Sequence, residues 1–381
     1  MQPVRERRGM ALPLVLGAIV IVAALIAGVM FAATQDCRGA SNTLNQTRAA
    51  AVAEMGLNHV LQDWSVANNT KMNTGDTLHM TYTDPNGAQA DVYVTKLYGN
   101  FFWAVSEGQT TPSAVQVGAR RRYGSLLRLN TPDIPFMAAM TGRGTLTVGG
   151  SSTVSGNDNT PTGWTNCSPA GKAIAGLAMS DTTSGLKLPG CSVSKSCVTG
   201  SPQFLQTLAA ADTATYFVYG NSTYQALAAA ATLTIPAGTT LSSVGPSVVG
   251  SSCQLSITNW GDPNRATPAG ACESYFPTIH ALGDLHVSGG VGQGILLVDG
   301  NLTMTGGFSF DGIVIVRGSV SSSGTGAHIT GALMAANVDL EADNSVLGNS
   351  SVNFSSCAIQ RVTSATSFPK PAKQRAWINL Y

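Results

Sequence analysis

The chain has 381 residues, only 11% of them charged, with 42 glycines and a net charge of +1. That balance excludes electrostatic binding of nucleic acid, which needs a basic face to displace counterions. Ser, Thr, Asn and Gly must cover most of the surface instead.

Arg5, Arg7 and Arg8 precede a run, Met10 to Thr34, that contains no charge. At about 1.5 Å per residue such a run can cross a hydrocarbon core of about 30 Å, and it is roughly twice the length of a secretory h-region. The best-placed signal-peptidase site, after Ala33, has Phe31 at −3, and Cys37 follows Thr34, Gln35 and Asp36 rather than the small apolar residues of a lipoprotein site. The run is therefore expected to stay in a bacterial inner membrane as a single pass, with the basic end cytoplasmic and the bulk exported. Apolar spacing continues beyond it: Leu44, Ala51, Met55, Leu57, Val60, Leu61 and Trp64 recur at helical intervals, predicting one helix from about Met10 to Asp63. Pro13 sits in its first turn, where a missing N–H costs little. Gly17, Gly28 and Gly39 allow bending or close helix approach, or are ordinary glycines of a membrane helix.

A short basic leader ending in Gly9, followed by Met10, two dozen apolar residues and an amphipathic helix, resembles the prepilin signal of type IV pilins and pseudopilins. Ala53, Glu54, Gly56 and Leu57 carry an "AE-x-GL" core similar to that of PilX-like minor pilins, over about the first 65 residues. The resemblance implies processing between Gly9 and Met10 by a prepilin peptidase, N-methylation of Met10, and other minor pilins or pilus subunits as partners. It also implies a Glu at the fifth mature position, thought to pair with a neighbour's terminal amine; here that position is Leu14.

After Trp64 the period becomes two. "TLHMTYTD", "ADVYVTKLY", "FFWAVSEG" and "GSLLRLN" read as strands, with Asp84–Gly87 as a turn between the first two. Arg120, Arg121 and Arg122 are a solvated strand end or a phosphate or lipid contact. Further on, "GILLVDG" from Gly294, "GIVIVRG" from Gly312 and "GALMAANVDL" from Gly331 recur at about 18 residues, with "RGTLTVGG" from Arg143 in the same pattern. Such coils, each an apolar strand ended by a glycine corner, are what a parallel β-helix requires; an antiparallel sandwich with Gly turns is the alternative. A helix is expected at "SPQFLQTLAAAD" with Ser201 as N-cap, and a second Ala-rich piece at "TYQALAAAA". With the stem, the repeats also resemble the β-helical C-terminal domains attached to many PilX-like proteins.

The expected fold is mainly β, with a long N-terminal transmembrane and amphipathic α-helix. Its parts are a leader over 1–9, the helix over 10–64, a small antiparallel sheet over 65–133, a β-helix over 134–341 carrying an inserted Cys-containing lobe at about 157–278, and a C-terminal tail over 342–381. Cys167, Cys191, Cys197, Cys253, Cys272 and Cys357 lie beyond the membrane, an even number suited to disulfides on an oxidising side. Cys191 with Cys197 and Cys253 with Cys272 are the short closable loops; free buried thiols are the alternative. Cys37 is left over.

No C-x-x-C, G-x-S-x-G, H-E-x-x-H or P-loop occurs, so no metal, cofactor or catalytic residue is expected. Asp284, Asp299, Asp311, Asp339, Glu341 and Asp343 in the repeats do not stack into an evident carboxylate pair; His280, His286 and His328 read as surface residues. "GNDN" at Gly156 and "GDPN" at Gly261 offer oxygen ligands without EF-hand spacing. Two functions remain: a minor pilin-like subunit for assembly, initiation, tip display or adhesion, or a membrane-tethered β-helical adhesin or carbohydrate-active enzyme.

Overall fold

The computed structural model describes residues 11–62, 64, 72–98, 100–111, 118–165, 167, 171–190, 197–267, 270–340, 343–371 and 377–380. Two compact units hold them. The first combines the N-terminal helix, Met72–Leu129 and the C-terminal residues from Pro369; the second is Asn130–Phe368.

In the first unit, Ala11–Gln62 is one continuous helix, α1, of 52 residues. From Asn45 onward it buries one face, Ala49, Val52, Ala53, Leu57 and Val60, at the three- and four-residue spacing that a helix lining a core requires. That face lies on an antiparallel sheet of β1 (Thr77–Thr83), β2 (Gln89–Lys96), β3 (Phe101–Gln109) and β4 (Arg120–Asn130), in that order. Asp84 makes the β1–β2 turn, its side chain accepting from the backbone N–H groups of Asn86 and Ala88 while Gly87 takes a positive φ. Strict alternation along β3 points Phe102 and Ala104 at the helix, and Trp64 meets Phe102 edge-on. At one seam the two backbones nearly touch. A Cβ on Gly108 would stand 2.1 Å from the Ala49 carbonyl oxygen and 2.5 Å from the Ala53 nitrogen, and one on Gly56 would stand 2.6 Å from Ser106 Oγ. Ala49 and Ala53, both fully buried, are the helix residues at that close approach.

The C-terminal segment departs from expectation. Phe368–Pro371 and Trp377–Asn379 both pair with β4 and extend this sheet to six strands. An unpaired β4 edge would expose a row of backbone donors and acceptors, and the sequence carries no local signal for a partner some 250 residues away.

The second unit is built on two parallel sheets, of eleven and seven strands. The chain alternates between them. Val291–Val298, Phe308–Val316 and Ala327–Ala335 lie side by side in the larger, and Leu285–Val287, Leu302–Met304 and Val320–Ser322 in the smaller. The register sets Gly294 opposite Gly312 and Gly312 opposite Gly331. All three have positive φ, and a Cβ on Gly312 would stand 2.0 Å from the Gly294 carbonyl oxygen.

Apolar runs follow each glycine because both faces of the larger sheet are buried. Leu296, Val298, Val314 and Val316 enter a core shared with Leu285, Leu302 and Val320 of the smaller sheet. Ile295, Leu297, Ile313 and Ile315 face the other way, under Tyr216, Tyr219, Leu227 and Val362. Trp260 closes part of the shared core, edge-on to Phe308 and Phe310.

The order of strands differs from the order in the chain. Ala138–Gly142 and Leu146–Val148, the first in sequence, pair with Ala327–Ala335 and Asn344–Val346, among the last. Strands from within 157–278 also join the two sheets. Ala175–Met179 adds beyond Ala138–Gly142, while Leu233–Ile235 and Thr239–Leu241 begin the stack at its other end. The tail expected from 342 supplies Asn344–Val346, Ser351–Phe354 and a ten-residue helix, Ser356–Ala365, capped by Ser355. Ser201 caps no helix: Phe204–Gln206 is a strand on Ala175–Met179, and only a 3-10 turn, Leu208–Ala211, follows, capped by Thr207. Sheet pairing outweighs the local helical pattern there. Tyr224–Ala229 is helical, capped by Thr223.

Substituting these glycines separates close approach from backbone preference. Gly312→Ala is expected to destabilise the second unit by about 1–3 kcal/mol or more, because the neighbouring backbone must move. Gly238→Ala, at a positive φ with open space around it, should cost only about 1 kcal/mol. Urea unfolding of the full-length protein in detergent, followed by tryptophan fluorescence, would check the order.

Candidate functional site

The first feature with chemical consequence is the uncovered part of α1. From Leu12 to Phe31 its large apolar side chains are exposed, Leu14 at 73%, over a helix long and apolar enough to cross a membrane. A helix satisfies its backbone groups internally, which hydrocarbon demands. Hydroxyls at the end of the run and beyond it turn back onto the helix: Thr34 donates to the Phe31 carbonyl, Thr43 to Gly39 and Thr47 to Thr43. Gly9 and Met10 lie outside the described residues. Cys37 is an exposed free thiol.

Beyond the run, two cavities flank α1 where it meets the sheet. One, of about 410 Å3, is lined by Asn42, Asn45, Gln46 and Gly118–Arg121. The other, of about 310 Å3, is lined by Asn45, Arg48, Asp84 and Thr110 among others. The three consecutive arginines divide between the faces of β4. Arg122 donates to Glu107 at 2.7 Å and Arg120 lies 3.5 Å from the same carboxylate, whereas Arg121 turns to the helix and donates to Gln46 Oε1 at 2.8 Å.

In the second unit, Cys167 is bonded to Cys357, 190 residues away, and Cys253 to Cys272, 19 residues away. Cys197 is also disulfide-bonded, while Cys191 lies outside the described residues. The Cys167–Cys357 bond ties a loop to the Ser356–Ala365 helix, where Arg361 also stacks on Trp164 at 4.6 Å.

The repeat carboxylates separate by role. Asp299 gathers three donors: the Tyr224 hydroxyl at 2.9 Å, His280 Nε2 at 2.9 Å and, more distantly, Arg317 at 3.7 Å. Arg317 in turn lies over the rings of Phe217 and Tyr224. The sequence pattern shows Asp299 only as one of several carboxylates that do not stack into a pair, and does not display this cluster. Arg317 was findable, since Asp299 and Arg317 end successive repeats; Tyr224 was not. Burial, then the Asp299 charge, raises the Tyr224 pKa, so its hydroxyl stays a donor. His286 pairs with Thr305 and His328 with Ser351, so the three histidines do not converge.

Asp284 accepts from the Asn301 N–H, and Asp343 takes the Thr145 hydroxyl and lies 3.6 Å from Lys187. Glu341 lies outside the described residues. The two candidate oxygen-ligand loops turn their carboxylates inward. Asp158 accepts from the Ser356 N–H and hydroxyl, and Asp262 from Ala266 and Thr267. Among the described residues no three His, Cys, Asp or Glu side chains are placed to hold a metal ion.

Asp311 stands apart. In register with Gln293 and Thr330 beside the glycine column, it is 6% exposed. Desolvation pushes its pKa up to about 7, against a hydrogen bond from Thr330.

No family matches the chain, and no curated protein does. Among solved structures, the crystal structure of the competence-associated pilin ComZ from Thermus thermophilus aligns with 88% of this chain and 96% of its own, at 13% identity and a TM-score of 0.22. So loose a superposition carries no weight on function.

Asp311 makes stability depend on pH. With its folded pKa raised to about 7 from 3.8, the native state holds more protons than the unfolded one between those values, so stability falls as pH rises through that window. Asp311→Asn, which mimics the neutral acid, should melt at nearly the wild-type temperature at pH 5 and above it at pH 8. Equal pH dependence of melting in both proteins would contradict this.

Proposed function

We propose that the chain is a non-enzymatic, PilX-like minor pilin or pseudopilin-like subunit that acts in assembly, initiation or tip display of a type IV pilus-like filament. The observation that carries this is the division of α1: exposed and apolar over Leu12–Phe31, buried against an antiparallel sheet from Asn45 on. One rigid helix thereby serves as a membrane anchor at one end and the spine of a globular unit at the other, and the apolar end can pack against like helices once it leaves the lipid. The basic leader supports an orientation with the N-terminus cytoplasmic, and Gly9–Met10 is the expected cleavage junction, followed by methylation of Met10.

The second unit is read as a parallel β-helix displayed outward, a reading supported by the alternation of parallel strands between two sheets and by the stacked glycines. A contribution to adhesion fits such a module. The rival reading, a tethered adhesin or carbohydrate-active enzyme outside any filament, draws on the cluster around Asp299; there, however, the carboxylate is already engaged by Tyr224, His280 and Arg317.

Leu14 bears on position in the filament. A carboxylate at that place would neutralise an amine otherwise unpaired in an apolar stack, and leucine offers no such pairing. A subunit added first has no earlier neighbour to satisfy, so the substitution costs least at the tip.

Two measurements test the reading. Mass spectrometry of the mature N-terminus should find methylated Met10, and Gly9→Val should leave the leader attached; maturation of that variant to Met10 would refute the pilin assignment. Immunogold labelling should mark filament ends or cell-associated complexes, and uniform decoration of the shaft would exclude the tip.

A further inference from the structure

Two arginines from distant parts of the second unit meet on one residue. Arg265 donates to the Thr165 hydroxyl at 3.2 Å, and Arg361 to the Thr165 carbonyl at 2.5 Å. We propose that Arg265 and Arg361 form a surface binding site for an oxyanion, a carboxylate or sulfate group that bridges the two guanidinium groups.

The charge balance leaves the pair short of an anion. Arg265 is paired with Glu273. Among the described residues Arg361 makes no ion pair; its guanidinium lies over Trp164, 4.6 Å from the ring centroid, and Trp164 is braced edge-on by Phe276. A guanidinium has five N–H donors, and the Thr165 carbonyl takes one of those on Arg361. The rest include a fork matched to the paired oxygens of a carboxylate or sulfate. Burial and then the Arg265 charge hold the Arg361 pKa below its usual value, and Glu273 offsets less than Arg265 contributes. One carboxylate therefore serves two mutually repelling cations, so a second anion would relieve repulsion as well as accept hydrogen bonds.

The three segments that carry the cluster are also fixed in advance. Thr165 lies two residues before Cys167, Glu273 directly follows Cys272, and Arg361 stands one helical turn beyond Cys357. Cys167 is bonded to Cys357, and Cys253 to Cys272. Side chains held this way lose little freedom when a ligand arrives. Arg265 itself takes a φ of 54°, a left-handed conformation uncommon outside Gly, Asn and Asp. Access remains open, since the Arg265 and Glu273 side chains are 35% and 41% exposed.

The proposal concerns the second unit alone and stands whether or not the chain enters a filament. Full-length protein in detergent is titrated calorimetrically with tetragalacturonate, which carries carboxylates, with uncharged maltotetraose, and with inorganic sulfate. Tetragalacturonate should bind and maltotetraose should not. Affinity should fall roughly tenfold in Arg265→Gln and in Arg361→Gln, as expected for loss of a charge-assisted hydrogen bond. It should fall less in Arg361→Lys, which keeps the charge without the fork, and stay unchanged in Arg128→Gln, at an exposed arginine of β4. Thermal melting of each variant separates lost binding from lost folding, and Arg361→Lys carries the test if a glutamine variant melts early. Tighter binding of tetragalacturonate than of sulfate would assign the site to a group carried on a polymer; equal or weaker binding would assign it to a free anion. Failure of both anions to bind, maltotetraose binding as tightly as tetragalacturonate, or unchanged affinity in the folded arginine variants would overturn the proposal.

Discussion

The close approach of α1 to β3 is the constraint on which the first unit depends. With Gly108 and Gly56 lacking side chains, helix and sheet meet at the separation of their backbones rather than of their side chains, and Ala49 and Ala53 lie flat against the strand. A larger residue at Gly108 would push on backbone atoms that cannot rotate away. The seam also explains why the helix can be half exposed and still stay one piece. Val52, Leu57 and Val60 bury against Val92, Phe102 and Leu127, and this distal half fixes the direction in which the uncovered apolar half projects.

The second unit solves a different problem, that of burying both faces of a parallel sheet. Its inner residues meet the smaller sheet, and its outer ones need a cover that the repeats themselves do not supply. Tyr216, Tyr219 and Leu227 come from between the strands Phe204–Gln206 and Leu233–Ile235, and Val362 from the helix after the last strand. The Cys167–Cys357 bond and the bonds from Ser356 to Asp158 hold that helix in place. The smaller sheet has no need of such a cover, since its short strands put polar His286, Thr303 and Ser321 on the outer side.

Polar chemistry in this unit is mostly directed inward. Asp158, Asp262 and Asp284 close loops with backbone donors, and Asp299 organises an aromatic and basic cluster. Asp311 is the exception, a carboxyl placed where the glycine column bends the strands and where water is excluded. A protonated carboxyl can lie in register between Gln293 and Thr330 as an amide would; an ionised one loses its hydration there without gaining a cation.

Much of this was legible along the chain because it depends on near neighbours. Helical spacing announced α1 to within a residue or two, alternation announced β1 to β4, and the recurrence of Gly294, Gly312 and Gly331 announced which strands lie side by side, since parallel neighbours with similar connections repeat at a nearly constant interval. Even the pairing of Asp299 with Arg317 was written in that interval. What only the tertiary structure decided is distant in sequence: Ala138–Gly142 closing on Ala327–Ala335, the C-terminal strands completing the sheet of β4, the helix Ser356–Ala365 covering the outer isoleucines, and Tyr224 reaching Asp299. A strand edge accepts any extended backbone that can reach it, and hydrogen bonds between main chains carry no residue code. The choice among distant partners is therefore made by packing of the whole unit, which no short stretch of the chain displays.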